Sequence, residues 1–262
     1  MATDKDKKSS TPPQSLQTQV KSIEGMLVTP AIADKLRGVQ TEYLTPDRLT
    51  RILLTEVARP DKNGKFALLE CAQANPASFL RAVMACCQLG LEPGPIGLVY
   101  LIPFGTEVQF IVGFKGYVNL ACRSGFSQVD AATIHEGDHF EHERGTTPFI
   151  RHRPAMNADR GAMVGAYAIA WPSSGGPPRF AVLDLAALHR ARASSMTYSK
   201  YKTGPWLDHE GEMAKKTAIR RGSKLWNLVP TSPLALAAGL DDDAIETTAE
   251  VREPRKAPPT LW

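Results

Sequence analysis

LGLEPGPIGLVYLIPFGTEVQFIVGFKGYVNLACR, residues Leu89 to Arg123, places a hairpin, a tight glycine junction and the basic end of a helix within thirty-five residues. Val99 to Phe104 is apolar and rich in β-formers, Gly105-Thr106 is a two-residue turn of the Gly-X kind that suits a type II′ hairpin, and Glu107 to Val112 returns with alternation. In the return strand Val108, Phe110 and Val112 share one face, and Glu107, Gln109 and Ile111 share the other. This predicts one buried side and one at least partly wet. Gly113 and Gly116 bracket Phe114-Lys115, and a short helix is predicted from about Tyr117 to Ser124, stopped by Gly125. A cation and an aromatic therefore sit where strand becomes helix.

Upstream, the first twenty or so residues are polar, with Ser9-Ser10-Thr11-Pro12-Pro13, and read as a disordered arm assigned to residues 1–25. The helical pattern begins at Met26. Thr45-Pro46 is an N-cap followed by proline at the first helical position, with Leu49, Ile52, Leu53 and Val57 at helix spacing. Asn75-Pro76 repeats the signal for a helix that closes near Gly90. Downstream, Ser127 to Glu136, Glu141 to Arg151, Ala162 to Trp171 and Arg179 to Leu183 are strand candidates. In the third of these Gly165, Tyr167, Ile169 and Trp171 oppose the small residues Ala166, Ala168 and Ala170. Leu185 to Ala193 is a short helix, Ser194 to Gly204 a polar basic loop and Asp208 to about Leu225 a longer helix. The expected fold is α+β: an antiparallel sheet of about five strands with packed helices and a helical N-terminal portion. The core is assigned to residues 26–236, and a flexible acidic, proline-rich tail to 237–262.

With 262 residues, 43% of them hydrophobic, the chain is long enough for a sizeable core. A net charge of +4 does not by itself declare a nucleic-acid partner, so its distribution matters more. From Phe140 to Lys224 there are fourteen Lys and Arg against seven Asp and Glu, whereas Asp241 to Glu250 carries five acids and no base. A polyanion would meet the first segment. Cys71, Cys86, Cys87 and Cys122 show no CxxC spacing and lie in apolar, helical-looking surroundings, which predicts buried reduced thiols rather than zinc ligands or disulfides. The opening MATDKDKKSSTPPQS has no hydrophobic signal region, and no apolar run approaches the ~20 residues of a membrane span; the expected location is cytoplasmic.

The longer helix is the best electrostatic candidate. Lys216, Arg220 and Lys224, at i, i+4 and i+8, form one stripe with Lys215 and Arg221 beside it, and Ala214, Ala218 and Leu225 are expected on the opposite side. Such a stripe suits a groove that follows phosphates, because each neutralised phosphate releases condensed counterions; its bland alternative is a solvated helix face. Just upstream, Tyr198, Lys200, Tyr201, Lys202 and Trp206 interleave aromatics with cations, as stacking of unpaired bases would use. Lys115 and Tyr117, with Arg123 at the far end of the short helix, form a second candidate at a helix start whose free N–H groups favour an anion. The alternative there is that Tyr117 packs in the core and Lys115 snorkels.

His135-Glu136-Gly137-Asp138-His139-Phe140-Glu141-His142-Glu143 offers metal-ligand chemistry, with Asp138 and His139 the candidates. No HExxH, EF-hand or DxD spacing fixes a geometry, so a solvated polar strand end is the competing account. No catalytic residue and no required cofactor is assigned. Mg²⁺ is the one ion this cluster admits, as a modulator of DNA association. Neither GxxxxGK[ST] nor a dinucleotide glycine fingerprint is present, which argues against nucleotide-driven chemistry. A metal-dependent nuclease centred on Glu136, Asp138 and His139 is the enzymatic alternative; a structural oligomer whose basic surface meets acidic proteins is another.

The Leu89 to Arg123 stretch resembles the core of the RecT family, the phage and prophage single-strand annealing proteins, and the likeness continues downstream. It is carried by Gly137-Asp138-His139-Phe140, by Arg160-Gly161-Ala162 with Gly165-Ala166-Tyr167, and by Pro205-Trp206 ahead of Glu212-Met213-Ala214-Lys215-Lys216-Thr217-Ala218. GFKGY alone is a weak signal, but the series fits in order and spacing from about Leu27 to Pro233. The resemblance implies a non-enzymatic protein that binds single-stranded DNA, anneals complementary strands without ATP for homologous recombination, and assembles into rings or filaments. It also implies a phage exonuclease or host single-strand binding protein as candidate partners for the tail ending Pro258-Pro259-Thr260-Leu261-Trp262.

Overall fold

A computed structural model describes residues 15–61, 63–156, 159–195, 198–199, 202, 204–226 and 232–240. The fold is α+β with antiparallel strand pairs. Its N-terminal portion is five helices, α1 (Leu16–Leu27), α2 (Pro30–Val39), α3 (Pro46–Val57), α4 (Ala67–Ala74) and α5 (Pro76–Leu89). Both Thr45 and Asn75 cap as their sequence context predicts: the Thr45 hydroxyl accepts from the Arg48 N–H at 3.4 Å, and the Asn75 side chain from the Ser78 N–H at 3.1 Å. Helix α1 starts ten residues before the Met26 of the sequence reading. Ser15 caps it, and Ile23 and Leu27, one turn apart, are buried, so residues 15–25 belong to the folded core and not to a polar arm. Residues 1–14 and 241–262 lie outside the described residues.

The hairpin has the predicted strands. β1 (Val99–Phe104) pairs with β2 (Glu107–Val112), Phe104 opposite Glu107 and Val99 opposite Val112. Gly105 takes φ 58°, the left-handed value that the first turn position requires. Val108, Phe110 and Val112 are buried, and the buried Ser78 hydroxyl of α5 accepts from the Val108 N–H at 2.8 Å. Helix α6 (Phe114–Arg123) begins three residues earlier than its sequence signals indicate. A Cβ at Gly113 would stand 2.1 Å from the Gly97 carbonyl oxygen, and one at Gly116 2.2 Å from that of Leu98. The two glycines therefore let the chain ahead of β1 run directly against the start of α6.

Seven strands, in three sheets among the described residues, replace the single sheet of about five. β3 (Phe126–His135), β6 (Met163–Pro172) and β7 (Arg179–Asp184) form one sheet with β6 central. The expected strand Glu141 to Arg151 is instead a second hairpin, β4 (His139–Glu143) and β5 (Phe149–Arg153), because Arg144-Gly145-Thr146-Thr147-Pro148 breaks the run and Gly145 adopts φ 127°. The alternation read in β6 sorts its two faces. Ala166, Ala168 and Ala170 are fully buried and join the main core, whereas Tyr167 and Ile169 join Ile134 in a smaller cluster packed by Phe140 of β4 and Ile150 of β5. The three-stranded sheet is thus covered by helices on one face and by the second hairpin on the other.

On the helical face lie α7 (Leu185–Ser194), capped by the Asp184 carboxylate accepting from the Ala187 N–H at 2.7 Å, then the short α8 (Pro205–Asp208) and the long α9 (Glu210–Trp226). Small residues set how closely α9 sits. Ala214, Ala218 and Gly222 are buried, and a Cβ at Gly222 would fall 2.3 Å from the Trp226 ring that covers it. Leu225, expected among the packed residues, is 63% exposed; Ile219, Ser223 and Trp226 are buried instead. A helical segment at 233–240 buries Leu234, Ala237 and Ala238, so folded structure extends beyond the residue 237 at which the sequence reading began the tail.

Cys71, Cys86 and Cys87 are buried, and burial pushes the Cys86 thiol far above its ordinary pKa; Cys122 departs from the reading of buried thiols and is exposed. No helix among the described residues is long and apolar enough to cross a membrane.

Candidate nucleic-acid interface

Close seating of α9 on the alanine face of β6 leaves its basic edge beside α7, and between the two helices runs an open groove of about 430 Å³. Its lining combines Ala187, Ala191 and Ser194 of α7 and Thr217 of α9 with four cations: Arg190 from α7, and Arg220, Arg221 and Lys224 from α9. Among the described residues, no carboxylate lines it. Arg190, Arg221 and Lys224 are exposed, and Arg220 is half-buried. A floor of methyl and hydroxyl groups with guanidinium and ammonium groups on both walls is suited to a polyanionic backbone: the walls supply charge from two sides and the floor admits close approach.

Of the stripe read from sequence, Arg220, Arg221 and Lys224 come together here. Lys216 is half-buried one turn earlier and outside the lining, and Lys215 is half-buried and ion-paired with Glu212. Arg190 was missed. It lies on a different helix, and the only signal pointing to it was the small-residue spacing of Ala187, Ala191 and Ser194 around it. Tyr198 is half-buried, with the Arg192 guanidinium 5.0 Å from its ring centre and the Lys202 ammonium at 4.8 Å, so its ring already engages two cations. Arg192 also donates to Glu210 at 2.9 Å, tying α7 to the start of α9. Lys200 and Tyr201 lie outside the described residues.

Two of the aromatics expected to contact DNA are core residues. Tyr117 is fully buried, and Trp206 is 4% exposed at the start of α8. Neither ring face is open to a base, because each ring's apolar area is spent on packing. Trp206→Phe is therefore expected to lower stability by about 1–2 kcal/mol in denaturant titrations while leaving the oligonucleotide affinity of the folded protein unchanged.

Arg123 also has a structural role. Its guanidinium donates to the Leu89 and Gly90 carbonyl oxygens, both at 3.1 Å, and stacks 3.7 Å from the centre of the Tyr43 ring, clamping the end of α5 to α6. Burial draws its pKa below the ordinary arginine value. Lys115 is exposed in the first turn of α6, apart from the groove lining.

The histidine and acid cluster has its own geometry, and it is not that of a metal site. Asp138, whose side chain has no exposed surface, accepts five hydrogen bonds: from the backbone N–H groups of Ala155 and His135 at 2.9 Å each, from His152 Nε2 at 3.1 Å, and from Arg160 at 3.0 and 2.5 Å. The Arg160 guanidinium, ahead of the other donors, holds this carboxyl well below the usual carboxylate range. Both oxygens are saturated, which leaves no lone pair for a cation. His139 is exposed and pairs with Glu141 at 3.3 Å, while Glu136 accepts from the Ala162 N–H at 3.3 Å. Among the described residues, no group of three or more His, Cys, Asp and Glu is placed to hold a metal ion.

Comparison with known proteins matches residues 47–255 to the RecT family. The chain is 36% identical over 213 residues to Protein RecT of Escherichia coli (strain K12), covering 78% of this chain and 73% of that protein. It is 26% identical over 125 residues to the uncharacterized protein YqaK of Bacillus subtilis (strain 168), covering 47% of this chain and 40% of that protein.

Proposed function

The chain belongs to the RecT family, and from that premise we propose that it binds single-stranded DNA along the groove between α7 and α9 and promotes annealing of complementary strands in homologous recombination. The observation that carries this reading is the convergence of Arg190 from α7 with Arg220, Arg221 and Lys224 from α9 on one groove. A groove walled by cations grips phosphate without reading sequence, which an annealing protein requires, because its two strands differ in sequence at every site.

No fuel is needed for the reaction. Pairing and stacking supply on average about 1.4 kcal/mol per base-pair step, so the protein need only concentrate strands, keep them open and screen phosphate repulsion. The groove lies between helices of about 15 and 26 Å, so one subunit spans few nucleotides and stable registry calls for a ring or filament of subunits. Mg²⁺ acts in this reading on the DNA, since Asp138 is committed to Arg160 and His152. A phage exonuclease and a host single-strand binding protein remain proposed partners of the C-terminal residues, and the cytoplasm the proposed location.

The test is to add two labelled complementary oligonucleotides in sequence to the purified protein without ATP, and to check strand length on a denaturing gel. Accelerated pairing of uncut strands is the expected result. Binding without acceleration would reduce the protein to a DNA binder, and shortened strands would reinstate the nuclease.

A further inference from the structure

We propose that Arg192 is a positioning residue for DNA binding: by bonding Glu210 across one end of the groove, it holds α7, and with it Arg190, at the separation from α9 that phosphate contact requires. The inference rests on the reading of the α7–α9 groove as the DNA site. It starts from how α7 is held. Of the ten residues of this helix Leu188 alone is buried, so apolar packing fixes it at one point. Its first residues are fixed by continuity with β7, which ends at Asp184, and by the Asp184 carboxylate accepting from the Ala187 N–H at 2.7 Å. The far end depends on Arg192, whose guanidinium donates to Glu210 at 2.9 Å.

The two arginines of this part of α7 divide the work. Arg190 and Arg192, two residues apart, project about 200° apart around the helix, so the first walls the groove while the second, absent from its lining, reaches the start of α9. Glu210 lies about 21 Å along α9 from Lys224, so the bond braces the end of the groove remote from Lys224. Glu212, the next acid of α9, pairs with Lys215 of its own helix, which leaves Glu210 as the acid that crosses to α7. The chain leaving α7 also folds back onto Arg192. Tyr198 sets its ring 5.0 Å from the guanidinium, and Lys202, at a left-handed φ of 51°, donates its N–H to the Tyr198 carbonyl at 2.9 Å and brings its ammonium 4.8 Å from the ring centre.

The side chains of the Arg192–Glu210 pair are 23% and 41% exposed, so the pair adds little to global stability. Its effect is on geometry: a helix anchored by one apolar side chain pivots when its far end is released, and Arg190 then leaves the phosphate track. The sign of the Glu210 effect separates this role from a direct DNA contact by Arg192. On charge alone, deleting a carboxylate near a polyanion tightens binding, and it would also free Arg192 for DNA. As the anchor of Arg192, its deletion weakens binding.

Anisotropy titrations of a labelled single-stranded oligonucleotide of mixed sequence over a range of salt, with the full chain, test this. Glu210→Gln and Arg192→Gln are each expected to lower affinity about fivefold at 0.1 M salt and to lower the slope of log affinity against log salt by about 0.7, the signature of one lost phosphate contact. The double variant should bind no more weakly than either single one. Arg190→Ala, which should cost the same fivefold in the parent, should cost less than about twofold in the Glu210→Gln background. Melting within about 4 °C of the parent is expected for each variant. A merely structural role would reduce the folded fraction and leave the slope and the Arg190 effect at their parent values.

Equal or tighter binding by Glu210→Gln, or additive losses in the double variant, would overturn the proposal. Failure of the two readings is distinguishable. Arg190→Ala that leaves affinity and slope unchanged in the parent refutes the groove itself, whereas Arg190→Ala that weakens the parent and Glu210→Gln alike refutes only the role of Arg192.

Discussion

An Asp138→Asn variant should melt roughly 6–12 °C below the parent protein, the shift that a loss of about 3 kcal/mol produces in a domain of this size. The loss follows from what the carboxylate does. It is fully buried and joins parts of the chain that neither hairpin nor sheet pairing joins: the end of β3 through the His135 N–H, β5 through His152, and the segment leading into β6 through the Ala155 N–H and Arg160. An amide in its place turns one acceptor into a donor facing donors, and removes the charge that Arg160 answers. The partly exposed Arg160 side chain can recruit water after the change, so the loss falls at the lower end of the range for breaking a buried pair.

The same group predicts an acid limit with a defined sign. Its folded pKa is depressed, so its contribution is fully present above the ordinary Asp value near 4 and is lost as pH falls through that value toward the folded one. Unfolding curves of the parent should therefore weaken steeply below about pH 4, and those of Asp138→Asn should weaken less over the same interval. Equal slopes would show that another carboxylate governs the acid transition.

The elements legible in the sequence were those whose determinants are local. A Gly-Thr turn between two six-residue β-runs, a Thr-Pro or Asn-Pro helix start, and an i, i+4, i+8 row of cations each carry their meaning within one element, and the structure has all of them. Features that depend on distant partners were not legible. Tyr117 has the same polar tip and apolar body whether it packs or stacks, and only the residues around it decide that it is fully buried. Asp138 draws its donors from residues up to twenty-two positions away, so its saturation left no local trace and the cluster looked like metal chemistry. Arg190 sits on a separate helix from the stripe it completes. In β6 the alternation was read correctly, but its significance emerged only with α9 in place: the alanine face is what lets that helix approach closely enough to form a groove with α7.

Replacing Arg190, Arg221 and Lys224 together by Ala should reduce affinity for single-stranded oligonucleotides about 100-fold at 0.1 M salt and lower the slope of log affinity against log salt by about 2. Both figures have one origin. Each phosphate contact to a single strand contributes about 0.7 to the slope, and between 1 M and 0.1 M salt that amounts to 0.7 of a decade in affinity; three contacts give about two decades. The loss should be similar for unrelated sequences, because backbone contacts do not read bases. All three side chains are exposed, so stability should stay within about 0.5 kcal/mol of the parent, and reduced binding cannot be assigned to unfolding. Arg37, exposed on α2 and paired with Asp34 at 2.5 Å, provides the control: its replacement removes a surface cation away from the groove and should leave the slope unchanged. Adding Lys115→Ala to the triple variant then locates the DNA path. A further fall of about 0.7 would extend it from the groove to the start of α6, and no further fall would confine it to the space between α7 and α9. A triple variant with the parent slope would remove the groove from the function altogether, because a cation that neutralises a phosphate cannot be deleted without returning the counterions that its contact released.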